Sequence, residues 1–140
     1  MTEPKWQEIN HTADLALRIQ GDSWEDLLTN AARGMIDSML DREKIRPAQE
    51  KEVRANADTR EGLIVEFLEE ILFAFDAENF APRNLELNHA TEKSVRAILK
   101  GEGFNRERHE IRNAIKAVTW HQLEVLYHDG NWEVTIIFDV

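Results

Sequence analysis

The chain has 140 residues, a length that suits one compact domain with a single hydrophobic core. Its formal net charge of -10 counts against direct binding to nucleic acid, which needs clustered Lys and Arg, and favours cations or a basic protein partner. A simpler alternative is that the acidic surface only keeps a small protein soluble. The absence of cysteine excludes disulfides and thiolate chemistry, and no apolar run is long enough for a membrane span, so we expect a cytoplasmic protein.

The first half of the chain predicts two strands and two helices. Apolar residues alternate over 13–19, which indicates a half-buried strand, and Ser23 then offers a helix cap before apolar residues at helical spacing. A weaker alternation over 51–57 predicts a modest second strand. The segment Asp58-Thr59-Arg60-Glu61 offers the next cap, and the apolar stripe over 63–75 is the strongest helical signal in the chain.

The second half predicts short strands joined by turns. An Asp129-Gly130 pair between alternating apolar residues is typical of a tight hairpin turn, which would place residues 123–127 beside residues 132–136. The last strand stays apolar up to the final residue, so we expect the carboxyl end to be built into the fold. Together the elements predict one α+β domain over residues 1–140, with two helices covering largely antiparallel sheet layers. The predicted strands of this half are 84–88, 94–100, 115–120, 123–127 and 132–138.

Two carboxylates at opposite ends of the chain have the same predicted orientation. Asp14 alternates with the apolar residues of the first strand, and Asp139 with those of the last, so each projects from the face opposite the core. If the two strands are neighbours, the carboxylates and the terminal carboxylate of Val140 converge into an oxygen-rich site for a divalent cation such as calcium or magnesium. Pattern alone favours the alternative that both are ordinary solvated strand residues.

Other candidate chemistry is less specific. Lys116 lies inside an otherwise apolar segment and could reach a phosphate or an acidic group, although an outward-facing strand lysine is commoner. The histidines lack the spacing of a zinc site, so we interpret His11 and His121 as supporting or hydrogen-bonding residues. Glu66, Glu69 and Glu70 form an acidic side of the second helix, which is either a solvated face or a docking surface for a basic protein. No hydrolase triad or phosphate-binding glycine loop is present in the sequence.

Four segments of the chain form an ordered set of motifs. They are His11-Thr12-Ala13-Asp14, the helical segment with Leu63-Ile64-Val65-Glu66-Phe67-Leu68 and Phe75-Asp76, the strand Ile115-Lys116-Ala117-Val118-Thr119-Trp120-His121, and the end Phe138-Asp139-Val140. Together these segments resemble the archease family. The family commonly has Tyr-His-Gly where this chain has Trp120-His121-Gln122. That departure leaves the geometry of the local turn open.

The resemblance implies a small, non-catalytic cofactor of the tRNA-splicing RNA ligase, which joins 2′,3′-cyclic-phosphate or 3′-phosphate ends to 5′-hydroxyl ends with GTP. Proteins of this kind promote guanylylation of the ligase histidine and multiple turnover through a metal-binding acidic site. Carried onto this sequence, the metal ligands are Asp14, Asp139 and Val140, with calcium as the favoured ion. Lys116 becomes a functional residue, and His11 becomes a support beside the site. The rival hypotheses are a metal-dependent phosphoesterase and a general chaperone or assembly protein.

Overall fold

The computed structural model describes residues 5–9 and 14–140, and within these ranges the chain forms two α-helices and eight strands. The strands are β1 (Trp6–Ile9), β2 (Leu15–Gly21), β3 (Gln49–Asn56), β4 (Phe80–Ala90), β5 (Ser94–Gly103), β6 (Ala117–Val118), β7 (Leu126–His128) and β8 (Asn131–Asp139). The helices are α1 (Trp24–Met39) and α2 (Arg60–Asp76), and a short 3-10 turn spans Arg42–Lys44. The predicted α+β class is confirmed.

Both helices begin where the sequence predicts. The Ser23 hydroxyl accepts a hydrogen bond from the Asp26 amide, and the Thr59 hydroxyl accepts one from the Gly62 amide. Each cap satisfies a main-chain donor that a helix leaves unpaired in its first turn. The boundaries of α1 and α2 are therefore fixed by local chemistry.

The strands form two antiparallel sheets with the helix pair between them. In the larger sheet the order is β1-β2-β8-β6, with β7 also paired to β8, and in the smaller sheet it is β3-β5-β4. Helix α1 packs against β2 and β4, and α2 packs against the smaller sheet and β6. Each helix thus contacts both sheets, so α2 is apolar around most of its circumference, with buried residues such as Leu63, Val65 and Phe67.

The strand predictions of the second half need correction. Only Ala117–Val118 of the predicted strand 115–120 is a strand, and the predicted strand 123–127 is reduced and shifted to Leu126–His128. The hairpin turn itself is confirmed, because Asp129 and Gly130 have φ angles of 49° and 78° and Tyr127 lies opposite Trp132. The ladder of β7 and β8 ends at Leu126 opposite Glu133, and the Val125 amide bonds to Glu61 on α2, so the predicted pairing of residues 123–125 with residues 134–136 is wrong.

Neither helix in the described part of the chain is long and apolar enough to cross a membrane.

Candidate functional site

The neighbouring strands β2 and β8 bring the two ends of the chain together. They pair antiparallel over seven residue pairs, from Gly21 opposite Trp132 to Leu15 opposite Phe138. Asp14 directly precedes Leu15 and Asp139 directly follows Phe138, so the two residues flank the last pair of this ladder. The two strands are therefore neighbours, which is the condition under which Asp14 and Asp139 can converge.

The face that Asp14 and Asp139 share is partly apolar. The next pair on that face, Ala16 and Ile137, is buried, and their exposed fractions are 1% and 3%. Asp14 is half-buried and Asp139 is exposed. Asp139 is therefore open to solvent and to a ligand, whereas Asp14 is partly shielded by the protein.

Strand β6 places Lys116 beside the end of β8. Ala117 pairs with Asp139, and the Lys116 amide donates a hydrogen bond of 2.7 Å to the Asp139 carbonyl oxygen. The Lys116 side chain is exposed, and its ammonium group forms no ion pair with a carboxylate of residues 5–9 and 14–140. The structure therefore holds the main chain of Lys116 at the site and leaves its charge available to another molecule.

Val140 follows directly after Asp139, and its exposed fraction is 39%. His121 is exposed in the turn after β6, and its amide donates a 3.3 Å hydrogen bond to the Thr119 hydroxyl. His11 lies outside the described residues. Among the described residues, no group of three His, Asp or Glu side chains is arranged to hold a metal ion. The predicted set has only two such side chains, with the Val140 carboxylate as its third donor.

Two glutamates that sequence reasoning did not single out for this purpose attach the 119–125 segment to α2. The Glu69 carboxylate accepts a 2.9 Å hydrogen bond from the Val118 amide, and the Glu61 carboxylate accepts a 2.8 Å hydrogen bond from the Val125 amide. Glu69 therefore belongs to neither a purely solvated face nor a docking surface. A glutamate eight residues after another on a helix is too ordinary a spacing to predict such bonds.

One residue of the turn in this segment, Gln122, has a left-handed backbone conformation. Gln122 has a φ angle of 55°, a conformation that costs most non-glycine residues free energy, and glycine adopts it readily. The Leu123 amide donates to the Trp120 carbonyl oxygen at 3.2 Å and closes the turn. The structure thus retains at Gln122 a backbone conformation suited to the glycine of the family motif.

A second cluster of charged groups lies away from this site. The Glu102 carboxylate accepts hydrogen bonds from the Arg46 amide at 2.8 Å, from His109 Nε2 at 2.9 Å and from Arg108 at 2.7 Å. These donors, the Arg46 amide foremost, lower the pKa of Glu102 to about 2 despite its burial. Because its hydrogen bonds connect β5 to two loops, the cluster has a structural role in joining them.

The fold and the converging ends define a class of small α+β domain in which two helices lie between two antiparallel sheets. A sequence profile of the Archease protein family (MTH1598/TM1083) matches residues 6–140, and the chain belongs to that family. Protein archease of Methanopyrus kandleri is 33% identical over 138 residues, covering 96% of this chain and 99% of that protein. Protein archease of Pyrobaculum calidifontis is 34% identical, covering 93% of this chain and 91% of that protein.

Two solved structures share the fold. The solution structure of Methanobacterium thermoautotrophicum protein 1598 matches with a TM-score of 0.81 and 26% identity, covering 99% of this chain and all of that one. The crystal structure of a Thermotoga maritima archease, described as a possible chaperone, matches with a TM-score of 0.67 and 22% identity, covering 100% of this chain and 98% of that one. At that identity the second match concerns the fold alone.

Proposed function

We propose that this protein is a cytoplasmic, non-catalytic activator of the GTP-dependent tRNA-splicing RNA ligase. It would bind the ligase, promote guanylylation of the ligase histidine and so sustain multiple turnover. The observation that supports this proposal most directly is the pairing of β2 with β8, which ends at Leu15 and Phe138, the residues next to Asp14 and Asp139.

The donor chemistry of this site suits a hard divalent cation, with calcium foremost. Asp14, Asp139 and the carboxylate of Val140 supply oxygen ligands only, and calcium takes six to eight such ligands. Three protein groups leave part of the coordination sphere to water or to groups of a partner. When bound, the ion would supply positive charge between the carboxylates and a fixed attachment point for oxygen ligands.

The residues around the carboxylates would act by binding and orientation. Lys116, held by its main chain against Asp139, would offer a cation to an anionic group of the ligase or its nucleotide. His121, with His11 as the second support implied by the resemblance, would offer ring nitrogens that donate or accept hydrogen bonds at the same edge. None of these groups needs to form a covalent bond for the ligase to be activated.

The experiment that tests the proposal is guanylylation and multiple-turnover ligation by the cognate ligase with GTP and manganese, with and without this protein. A variant lacking Val140 is compared with one that carries two added residues after Val140, because both move the terminal carboxylate. We expect stimulation by the parent and loss of stimulation in both variants. Stimulation that survives both changes would contradict a role for that carboxylate.

Two assays separate this proposal from its rivals. A metal-dependent phosphoesterase would hydrolyse a phosphodiester substrate without the ligase, and we expect no such activity. A general chaperone would suppress aggregation of unrelated unfolded proteins, and we expect none, because the large apolar side chains of α1 and α2 are mostly buried in the core. Activity in either assay at the concentration that stimulates the ligase would favour the corresponding rival.

A further inference from the structure

We infer that one face of α2, with Trp120 lying on its first turn, is the surface that docks a basic patch of the ligase. We call it the aromatic-acidic face and define it as Trp120, Glu66, Glu70 and Phe73. The inference rests on the proposed function for the identity of the partner, and the geometry of the four residues is independent of that proposal.

The four residues are brought together by helical spacing and by one contact. The Trp120 ring approaches α2 at Gly62, where an added Cβ atom would lie 3.3 Å from Trp120 Cη2. Because residues 62, 66 and 73 follow a nearly straight line along a helix of 3.6 residues per turn, Glu66 and Phe73 lie on the same side as Trp120. Glu70 flanks that line. At 1.5 Å per residue, Gly62 and Phe73 are about 16 Å apart along the helix.

The two aromatic side chains are exposed at the ends of this face. Trp120 has 59% of its surface exposed and Phe73 has 57%, whereas most of the large apolar side chains on the helices are buried. Large aromatic residues that remain exposed are candidates for binding a partner, and Trp is prominent among the residues that contribute most to protein binding. The face therefore offers two aromatic anchors with carboxylates between them.

The segment that carries Trp120 is anchored on both sides before any partner arrives. The Thr119 hydroxyl donates a 2.8 Å hydrogen bond to the Ile137 carbonyl oxygen, and Glu69 and Glu61 accept from the amides of Val118 and Val125 on either side. A segment whose main chain is already anchored loses less conformational entropy on binding than a mobile one. The two glutamates are thus positioning residues for the segment around Trp120.

The charge of the face selects a basic partner. After Arg60, the charged residues of α2 are all acidic: Glu61, Glu66, Glu69, Glu70 and Asp76. Glu66 and Glu70 are exposed and form no ion pair with residues 5–9 and 14–140. Lys or Arg on the partner would complement these two carboxylates and also bind favourably over the Trp120 ring.

The face is continuous with the proposed metal site. The Val118 amide bonds to Glu69 on α2, and Val118 pairs with Phe138 in β8, next to the pair of Ala117 and Asp139. A ligase surface seated on α2 would therefore also reach the end of β8. Docking and activation use adjacent but distinct groups, which predicts that they can be separated by mutation.

The test titrates each variant against the ligase and fits two quantities: the half-maximal concentration for stimulation of guanylylation and the maximal rate. We expect Trp120→Ala to raise the half-maximal concentration at least tenfold, with the maximal rate retained. The double charge reversal Glu66→Lys and Glu70→Lys should give a similar increase. A double reversal of Glu50 and Glu107 to Lys is the matched control, since both are exposed and the change in net charge is equal.

A parallel titration follows binding of each labelled protein to the ligase directly, and thermal unfolding verifies that every variant is folded. If Trp120→Ala and the α2 reversal bind and stimulate with the parent's half-maximal concentration, the inference is overturned and the proposed function stands. If they lower the maximal rate at unchanged half-maximal concentration, the face acts in activation and docking is overturned. If the parent binds without stimulating while these variants bind more weakly, the docking face is supported and the activator function fails; a parent that does not bind overturns both.

Discussion

Leu15 on β2 lies opposite Phe138 on β8, so that Asp14, just before β2, and Asp139, the last residue of β8, flank the final pair of this ladder. Two like charges in that arrangement repel each other when no cation is present. The same pairing ties the end of the chain to a central strand, which explains why the last strand is apolar up to Phe138. The pairing that holds the last strand in the fold therefore also brings two negative charges to the same end of the sheet.

The first prediction concerns metal binding at this pair. Asp14→Asn and Asp139→Asn each remove one negative charge while keeping the size of the side chain, and we expect the affinity for calcium to fall at least tenfold in each. Fewer charged ligands bind calcium more weakly. Isothermal titration calorimetry checks the affinity. Asp129→Asn, on the exposed hairpin turn, is the control, and a variant of the pair that binds like this control would contradict the assignment.

The second prediction concerns Gln122, whose φ angle is 55°. Replacement by glycine should stabilise the protein by about 0.5–1 kcal/mol, because relief of the left-handed strain exceeds the extra entropy that glycine loses on folding. Chemical denaturation measures the free energy of unfolding. Gln122→Ala retains the strain and should leave that free energy nearly unchanged. Destabilisation by glycine would mean that the Gln122 side chain itself stabilises the turn.

The third prediction concerns the carboxylate of Glu69. Glu69→Ala removes the acceptor for the Val118 amide and should lower the free energy of unfolding by about 1–2 kcal/mol, whereas Glu69→Gln keeps a carbonyl acceptor and should cost less. Amide hydrogen exchange at Val118 provides a local measurement. Glu70→Ala is the control on the same helix. Equal exchange at Val118 in all three variants would show that the bond contributes nothing.

The fourth prediction concerns the pH dependence of stability at Glu102. The pKa of this carboxyl is lowered from 4.5 to about 2 in the folded protein, so its contribution is fully present above pH 4.5 and is lost as the pH falls towards 2. Glu102→Gln should therefore be less stable than the parent at neutral pH. The difference between the two proteins should shrink below pH 4.5. A constant difference from pH 7 to pH 2 would contradict this origin.

The local features of the fold could be predicted from sequence, because each depends on residues close together in the chain. Ser23 and Thr59 satisfy the first-turn amides of their own helices, and Asp129-Gly130 adopts the positive φ angles of a tight hairpin turn. The alternation that puts Asp14 and Asp139 opposite the core is also local. Local alternation does not predict that the two carboxylates converge, because convergence requires β2 and β8 to be neighbours.

The features that sequence could not supply depend on long-range pairing. The apolar residues of 115–120 predict a strand, yet only Ala117–Val118 is one, because the preceding Asn113 is bonded to the end of α1 and the chain turns at Gln122. The helical spacing leaves Phe73 off the predicted apolar stripe, but it does not determine whether a sheet covers Phe73, which is 57% exposed. Both features depend on long-range packing.

The most direct test of the account is single-turnover guanylylation of the cognate RNA ligase with saturating parent protein or saturating Asp139→Asn. The account predicts that the parent accelerates guanylylation at least tenfold and that Asp139→Asn, folded and still bound to the ligase, accelerates it less than twofold. Acceleration by Asp139→Asn equal to that of the parent would contradict the claim that the acidic pair at the ends of β2 and β8 activates the ligase.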